Sequence, residues 1–166
     1  MLGNAVVVDG GSSSVKLSGR RGRVMDQIRV NLQHYPATAY TGYEKTRDGM
    51  DSKLVSNFNT DILADGVVAA EDARIEVAWW THPAGTADQF KFHYIESAGY
   101  DCGWHRQPHP DRDEIPFDHF QQRADPEDEY QYQGVDFTEA EPVGLTWEIL
   151  ETRLPKILRA RYTGDE

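Results

Sequence analysis

Arg74-Ile75-Glu76-Val77-Ala78-Trp79-Trp80 decides the fold, together with Phe90-Lys91-Phe92-His93-Tyr94-Ile95 and Tyr100-Asp101-Cys102-Gly103-Trp104-His105 downstream. Polar and apolar side chains alternate in each stretch. A period of two is the mark of a strand with one face buried. Ile75, Val77 and Trp79 share one face, and Phe90, Phe92 and Tyr94 share another. His82-Pro83-Ala84-Gly85 and Ser97-Ala98-Gly99 have the composition of turns. Three alternating strands joined by short turns give an antiparallel meander.

Toward the C-terminus, residues 107–129 read as a long polar loop carrying Pro108, Pro110, Pro116 and Pro126. A loop of that length in a compact domain is usually functional or disordered. Residues 130–137 read as a fourth strand. Leu145, Ile149, Leu150, Leu154, Ile157 and Leu158 make the apolar stripe of a final helix over about 143–162, which Pro155 should bend or break. Toward the N-terminus, Met25, Ile28 and Leu32 fall at helical spacing, and Tyr35-Pro36 ends that helix. Residues 40–43 read as a short strand and 48–58 as a short helix. The expected architecture is α+β: an antiparallel four- to five-stranded sheet packed against N- and C-terminal helices, as one domain over 24–166. Residues 1–23 read as a flexible basic arm, with Lys16, Arg20, Arg21 and Arg23 against Asp9. It is either a hairpin around Asp9-Gly10-Gly11 or the product of a start site upstream of Met25.

Charge bounds the function. Asp and Glu number 28 against 17 Lys and Arg, for a net charge of −11. Only five of the basic residues are Lys, and Asp outnumbers Glu. Carboxylates stay hydrated in concentrated salt, which also screens their repulsion. The expectation is a halophilic archaeal protein. Acidity argues against a generic nucleic-acid binder with a broad basic footprint, so any basic patch must be local. Composition does not exclude nucleic acid, because counterion release contributes little at molar salt. Apolar runs such as Val67-Val68-Ala69-Ala70 are too short to cross a bilayer. Met1-Leu2-Gly3-Asn4 lacks the features of a signal peptide. These readings point to a cytoplasmic protein without a membrane span. Cys102 is the single cysteine, so there is no intrachain disulfide and no cysteine-based zinc site. Tyr100 and Trp104 share its strand face, which makes it a packed, inert thiol.

Four of the six histidines lie on the central strands or the loop after them: His93, His105, His109 and His119. Histidine exchanges protons near neutral pH. Arg106 offers a planar fork for a phosphate or carboxylate. Asp101 projects on the same strand face as His105, because side chains repeat every two residues. His105, Arg106, His109 and His119, oriented by Asp101 and Asp118, form the candidate catalytic set. Three readings compete. The set is a loop bonding its own backbone, an acid–base or anion site for a phosphodiester, or a set of ligands for a divalent metal. No other cofactor is expected. His93 is either solvent-exposed or lines the face of Asp101 and His105, depending on register.

Phe92-His93-Tyr94-Ile95-Glu96-Ser97, Gly103-Trp104-His105-Arg106-Gln107 and Asp118-His119-Phe120-Gln121 carry a likeness. From about Met25 onward the chain resembles a group of small haloarchaeal proteins. More distantly it is similar to the TumE-like toxins of toxin–antitoxin pairs. That resemblance implies a sheet with flanking helices, a helix-turn-helix antitoxin as partner, and RNA or another phosphate-bearing target. If the chain is an enzyme, it implies a nuclease-like hydrolase, metal-independent or metal-assisted. The alternative is a non-enzymatic interaction module that binds a protein partner or a second copy of itself.

Overall fold

The computed structural model describes residues 17–83 and 85–164. The hairpin expected around Asp9-Gly10-Gly11 lies outside them. The described chain forms seven strands: β1 (Thr38–Lys45), β2 (Ser52–Phe58), β3 (Ala73–Trp80), β4 (Gln89–Glu96), β5 (Asp101–Arg106), β6 (Asp118–Arg123) and β7 (Gln131–Gly134). They lie in one sheet in chain order, and every neighbouring pair is antiparallel. The meander is therefore present, but with seven strands rather than four to five.

Two segments account for the difference. Residues 52–58 are a strand, not a helix. Ser52, Leu54, Ser56 and Phe58 are all buried at alternate positions, and the two serines hide the apolar alternation. Ser56 meets Thr41 of β1 with 2.9 Å between hydroxyl oxygens, so its burial is satisfied. The polar loop expected over 107–129 contains β6. Only Phe120 of that strand packs beside Trp104, with ring centroids 5.2 Å apart; the remaining residues of β6 are polar.

One sheet face carries Ile75, Val77, Phe90, Phe92, Tyr94, Cys102 and Trp104, all buried. The helices cover this face. Helix α1 (Gly19–His34) contributes Met25, Ile28 and Leu32, each fully buried. It starts at Gly19, six residues ahead of Met25, so Arg20, Arg21 and Arg23 lie on the helix. Arg20 pairs with Asp88 at 2.6 Å and Arg21 with Asp51 at 2.9 Å, which fastens the first helical turn to the sheet. Tyr35-Pro36 ends the helix as the sequence indicates.

The C-terminal segment runs through α2 (Pro142–Trp147), a π turn (Glu148–Arg153) and α3 (Leu154–Thr163). Pro155 has no N–H to offer Glu151, and its ring would crowd that carbonyl in a regular α-helix. The wider π turn immediately before it relieves the conflict, and Leu154 N–H reaches back to the Ile149 carbonyl. Leu145, Ile149, Leu150, Leu154 and Leu158 all bury against the core. Trp147 donates to Asn31 at 2.7 Å and Tyr35 donates to the Leu150 carbonyl at 3.1 Å, which joins the two ends of the chain. Truncating one of the fully buried rings, as in Phe92→Ala, costs about 3–5 kcal/mol. Among the described residues no helix is long and apolar enough to cross a membrane.

Candidate functional site

The helices leave the other sheet face open, and the polar partners of the alternating strands converge there. Register places Lys91 of β4 opposite His105 of β5, which in turn lies opposite His119 of β6. The next row runs from Glu76 on β3 through His93, Gly103 and Gln121 to Tyr132 on β7. His93 therefore lines the face of Asp101 and His105. A pocket of about 440 Å³ opens here, with Arg47, Lys53, Trp80, Lys91, His93 and His105 among its walls.

His93 is the hub. Its Nε2 lies 2.9 Å from Asp101 Oδ1, and its Nδ1 lies 3.4 Å from His105 Nε2. Arg123 donates to the second oxygen of Asp101 at 2.7 Å, and its guanidinium stacks on Tyr130 with 4.4 Å to the ring centroid. Burial by itself raises the Asp101 pKa. Hydrogen bonds from His93, Tyr130 and Arg123 outweigh it and hold the carboxyl at about 2, so Asp101 is a fixed anion. An anion on Nε2 sets that nitrogen as the donor and leaves Nδ1 of His93 as the accepting nitrogen.

His105 is buried, with 3% exposure. Burial comes first, and the neighbouring His93, Lys91 and His119 add to it, in lowering its pKa to about 2. It is a neutral imidazole. Its Nδ1 has no hydrogen-bond partner and is cut off from solvent. With Nε2 as the protonated nitrogen facing His93, the partnerless Nδ1 is a bare lone pair rather than a stranded N–H. Gly103 makes the meeting of the two rings feasible. A Cβ there would sit 2.4 Å from His93 Nδ1 and 2.6 Å from His105 Nε2.

Lys91 is half-buried beside His105, and burial lowers its pKa. Among the described residues it has no ion-pair partner. Lys53, by contrast, is bonded to Glu76 at 2.5 Å. Arg47 sits at the mouth of the pocket in the β1–β2 turn. Thr46 donates to Asp48 at 2.7 Å and Met50 N–H donates to the same oxygen at 2.9 Å, which fixes the turn.

The expected site residues thus divide. Asp101, His105 and His119 share the open face, and the His105 and His119 rings lie 5.2 Å apart. Asp101 takes His93 as its partner, not His105. His119 is fixed by its Nδ1 at 2.9 Å from the Pro116 carbonyl. His109 lies further out, 3.1 Å from the Tyr132 hydroxyl. Arg106 and Asp118 are on the helix-covered side and bind each other in a two-pronged pair at 2.8 and 3.0 Å. The Arg106 fork is thereby occupied and lies over the Phe90 ring at 5.3 Å. His93, Lys91 and Tyr130 complete the cluster. His93 and Lys91 sit at the polar positions of β4, which was the signal available for them, and Tyr130 lies just ahead of β7. Among the described residues no group of three or more His, Cys, Asp or Glu is arranged to hold a metal ion. Cys102 is fully buried on the other face, and burial raises its thiol pKa.

The family model for Toxin TumE matches residues 45–152, well over half of the chain. This chain belongs to the TumE toxin family. The matched region runs from the end of β1 into the π turn, so it includes the whole pocket. Membership implies a toxin-like role and an antitoxin partner. No curated protein and no solved structure matches the chain.

Proposed function

We propose that this TumE-family chain is a toxin that cleaves RNA phosphodiesters by general acid–base chemistry, held in check by a helix-turn-helix antitoxin. One observation carries the reading. The Asp101-oriented His93 lies at a pocket that also presents Lys91, a half-buried cation with no ion pair among the described residues; Glu76, whose charge reaches it, is bonded to Lys53. An unpaired cation in a partly dry site favours an anionic ligand.

In this reading Lys91 and Arg47 hold the phosphate. Nδ1 of His93 exchanges its long 3.4 Å contact with His105 Nε2 for the ribose 2′-hydroxyl and accepts that proton, and the oxygen attacks phosphorus. The bond from phosphorus to the 5′-oxygen breaks, and the departing oxygen takes a proton from solvent. The products are a 2′,3′-cyclic phosphate and a 5′-hydroxyl end. Asp101 stabilises the imidazolium that forms on His93, as the carboxylate of a catalytic triad does. His105 stays neutral and adds no charge against Lys91. A positioned base of this kind contributes about 10²–10⁴-fold in rate.

The test is expression of the wild type and His93→Ala side by side, with the RNA ends mapped. Growth arrest and cyclic-phosphate ends from the wild type only are expected. Arrest by both forms would favour the non-enzymatic module, and arrest by neither would remove the toxin reading.

A further inference from the structure

The outer face of β3 presents three side chains in order: Trp80, Ala78 and Glu76. Strand pairing sets Trp80 beside Gln89, Ala78 beside Lys91, and Glu76 beside His93. Successive rows on one strand face are roughly 7 Å apart. An aromatic plate, a small residue next to a cation, and an imidazole base therefore follow one another across the pocket floor. That is the order of a base, its own 5′-phosphate, and the 2′-hydroxyl of the preceding ribose along an RNA strand. Trp80 is half-buried and lines the pocket. Its ring is held by Arg21, whose guanidinium lies 5.9 Å from the ring centroid. Arg21 is itself fixed by Asp51 at 2.9 Å through both terminal nitrogens and by the Trp79 carbonyl at 2.6 Å. The guanidinium beside the ring is therefore fixed in place. Trp79, the adjacent residue, points the other way into the core against Phe90, at 5.0 Å between centroids.

The cations are also concentrated. Two of the five lysines in the chain, Lys53 and Lys91, line this pocket together with Arg47, against Glu76. In a protein of net charge −11 this is the local basic spot that an acidic chain needs in order to hold a phosphate. A volume of about 440 Å³ is in the range of small-ligand sites. By volume it has room for about one nucleotide and not for a paired helix.

We infer that the pocket seats a single unpaired nucleotide of RNA, its base stacked on Trp80 and its phosphate on Lys91 and Arg47. The inference rests on the phosphodiester reading above and adds the substrate class: single-stranded RNA with one base turned out of its stack. Sequence-tolerant stacking on an aromatic plate is the usual means by which proteins hold such strands.

The probes are 2′-O-methyl hexauridylate, which cannot form a cyclic phosphate, its duplex with the complementary strand, and inorganic phosphate. Affinity is read by calorimetry and Trp80 by fluorescence quenching, on wild type, Trp80→Leu, Trp80→Phe and Lys91→Met. The single strand is expected to bind and quench, the duplex to bind far less, and phosphate to bind without quenching. Trp80→Leu should lose the quench and weaken the hexamer about tenfold or more, the worth of one stacked base. It should leave phosphate affinity unchanged, and Trp80→Phe should keep most of the hexamer affinity. Lys91→Met should weaken both anions. Unchanged hexamer binding by Trp80→Leu, or equal binding of duplex and single strand, overturns the nucleotide seat while leaving the anion site standing. Failure of both phosphate and hexamer to bind the wild type overturns the anion site and this inference with it.

Discussion

His93 Nε2 and Asp101 Oδ1 stand 2.9 Å apart on adjacent strands, and the second oxygen of the same carboxylate is taken by Arg123. The carboxylate is thus shared between an imidazole that can change its protonation and a guanidinium that cannot. Asp101→Asn keeps the shape but removes the anion that fixes the His93 tautomer. RNA cleavage should fall about 10²-fold or more, while affinity for the uncleavable hexamer changes little. Equal cleavage by Asp101→Asn and the wild type in a fluorogenic RNA assay would show that His93 does not depend on this carboxylate.

Gly103 is needed for closeness, not for backbone freedom. Gly103→Ala places a methyl group within 2.4 Å of His93 Nδ1 and 2.6 Å of His105 Nε2. The imidazoles must separate, at a cost of about 1–3 kcal/mol. Thermal unfolding should register the loss, and imidazole NMR shifts of His93 and His105 should move together. A variant with unchanged melting and unchanged shifts would contradict the described packing.

Acid should destabilise the fold through His105. Its pKa falls from 6.5 to about 2 on folding, so between those values the unfolded chain binds a proton that the folded chain does not. The stability gained by keeping this ring neutral is complete above about pH 6.5 and is lost as pH falls toward 2. Asp101 acts in the same direction lower down. Its depressed pKa contributes stability above 3.8 that is lost as pH falls through about 2. Urea unfolding should lose roughly 1 kcal/mol between pH 6 and pH 5 from His105. His105→Gln should flatten the slope by that amount, and an unflattened slope would reassign it.

Arg106 and Asp118 supply the opposite expectation. They are joined on the covered side of the sheet, away from the pocket. Arg106→Gln should lower stability by about 1–2 kcal/mol through the lost pair and the lost contact over Phe90. It should leave hexamer affinity at the wild-type level in the calorimeter.

The excess of 28 acidic over 17 basic residues sets a salt expectation. If the chain is adapted to a salt-rich cytoplasm, its melting temperature should climb with KCl well beyond the point where charge screening saturates. A flat response above moderate salt would mark an ordinary acidic protein.

What the sequence made legible follows from where alternation is clean. β3, β4 and β5 alternate large apolar with polar residues, so three strands and their direction could be read directly. β2 was obscured because Ser52 and Ser56 occupy core positions. β6 was obscured because most of its side chains are polar. The site followed the same logic. Asp101 and His105 were found by period-two spacing. His93 could be set beside them only once the β4–β5 register was known, since a shift of one residue moves it to the other face. Arg106 misled because adjacency along a strand means opposite faces. Lys91 and Trp80 carry no local motif and become recognisable only as members of a row across strands.

The strict chain-order sheet has a consequence for how the molecule comes into being. Each strand finds its partner within a short stretch of its own chain, so the ribbon can zip up while synthesis is still under way. The segment carrying Leu145, Ile149 and Leu158 is made after all seven strands, yet it belongs to the same core cluster as Tyr94 and Trp104. Until then the apolar side of a nearly finished ribbon is bare. Arrival of the segment from Pro142 to Thr163, rather than pairing of any strand, is the step that turns a sticky nascent sheet into a closed core.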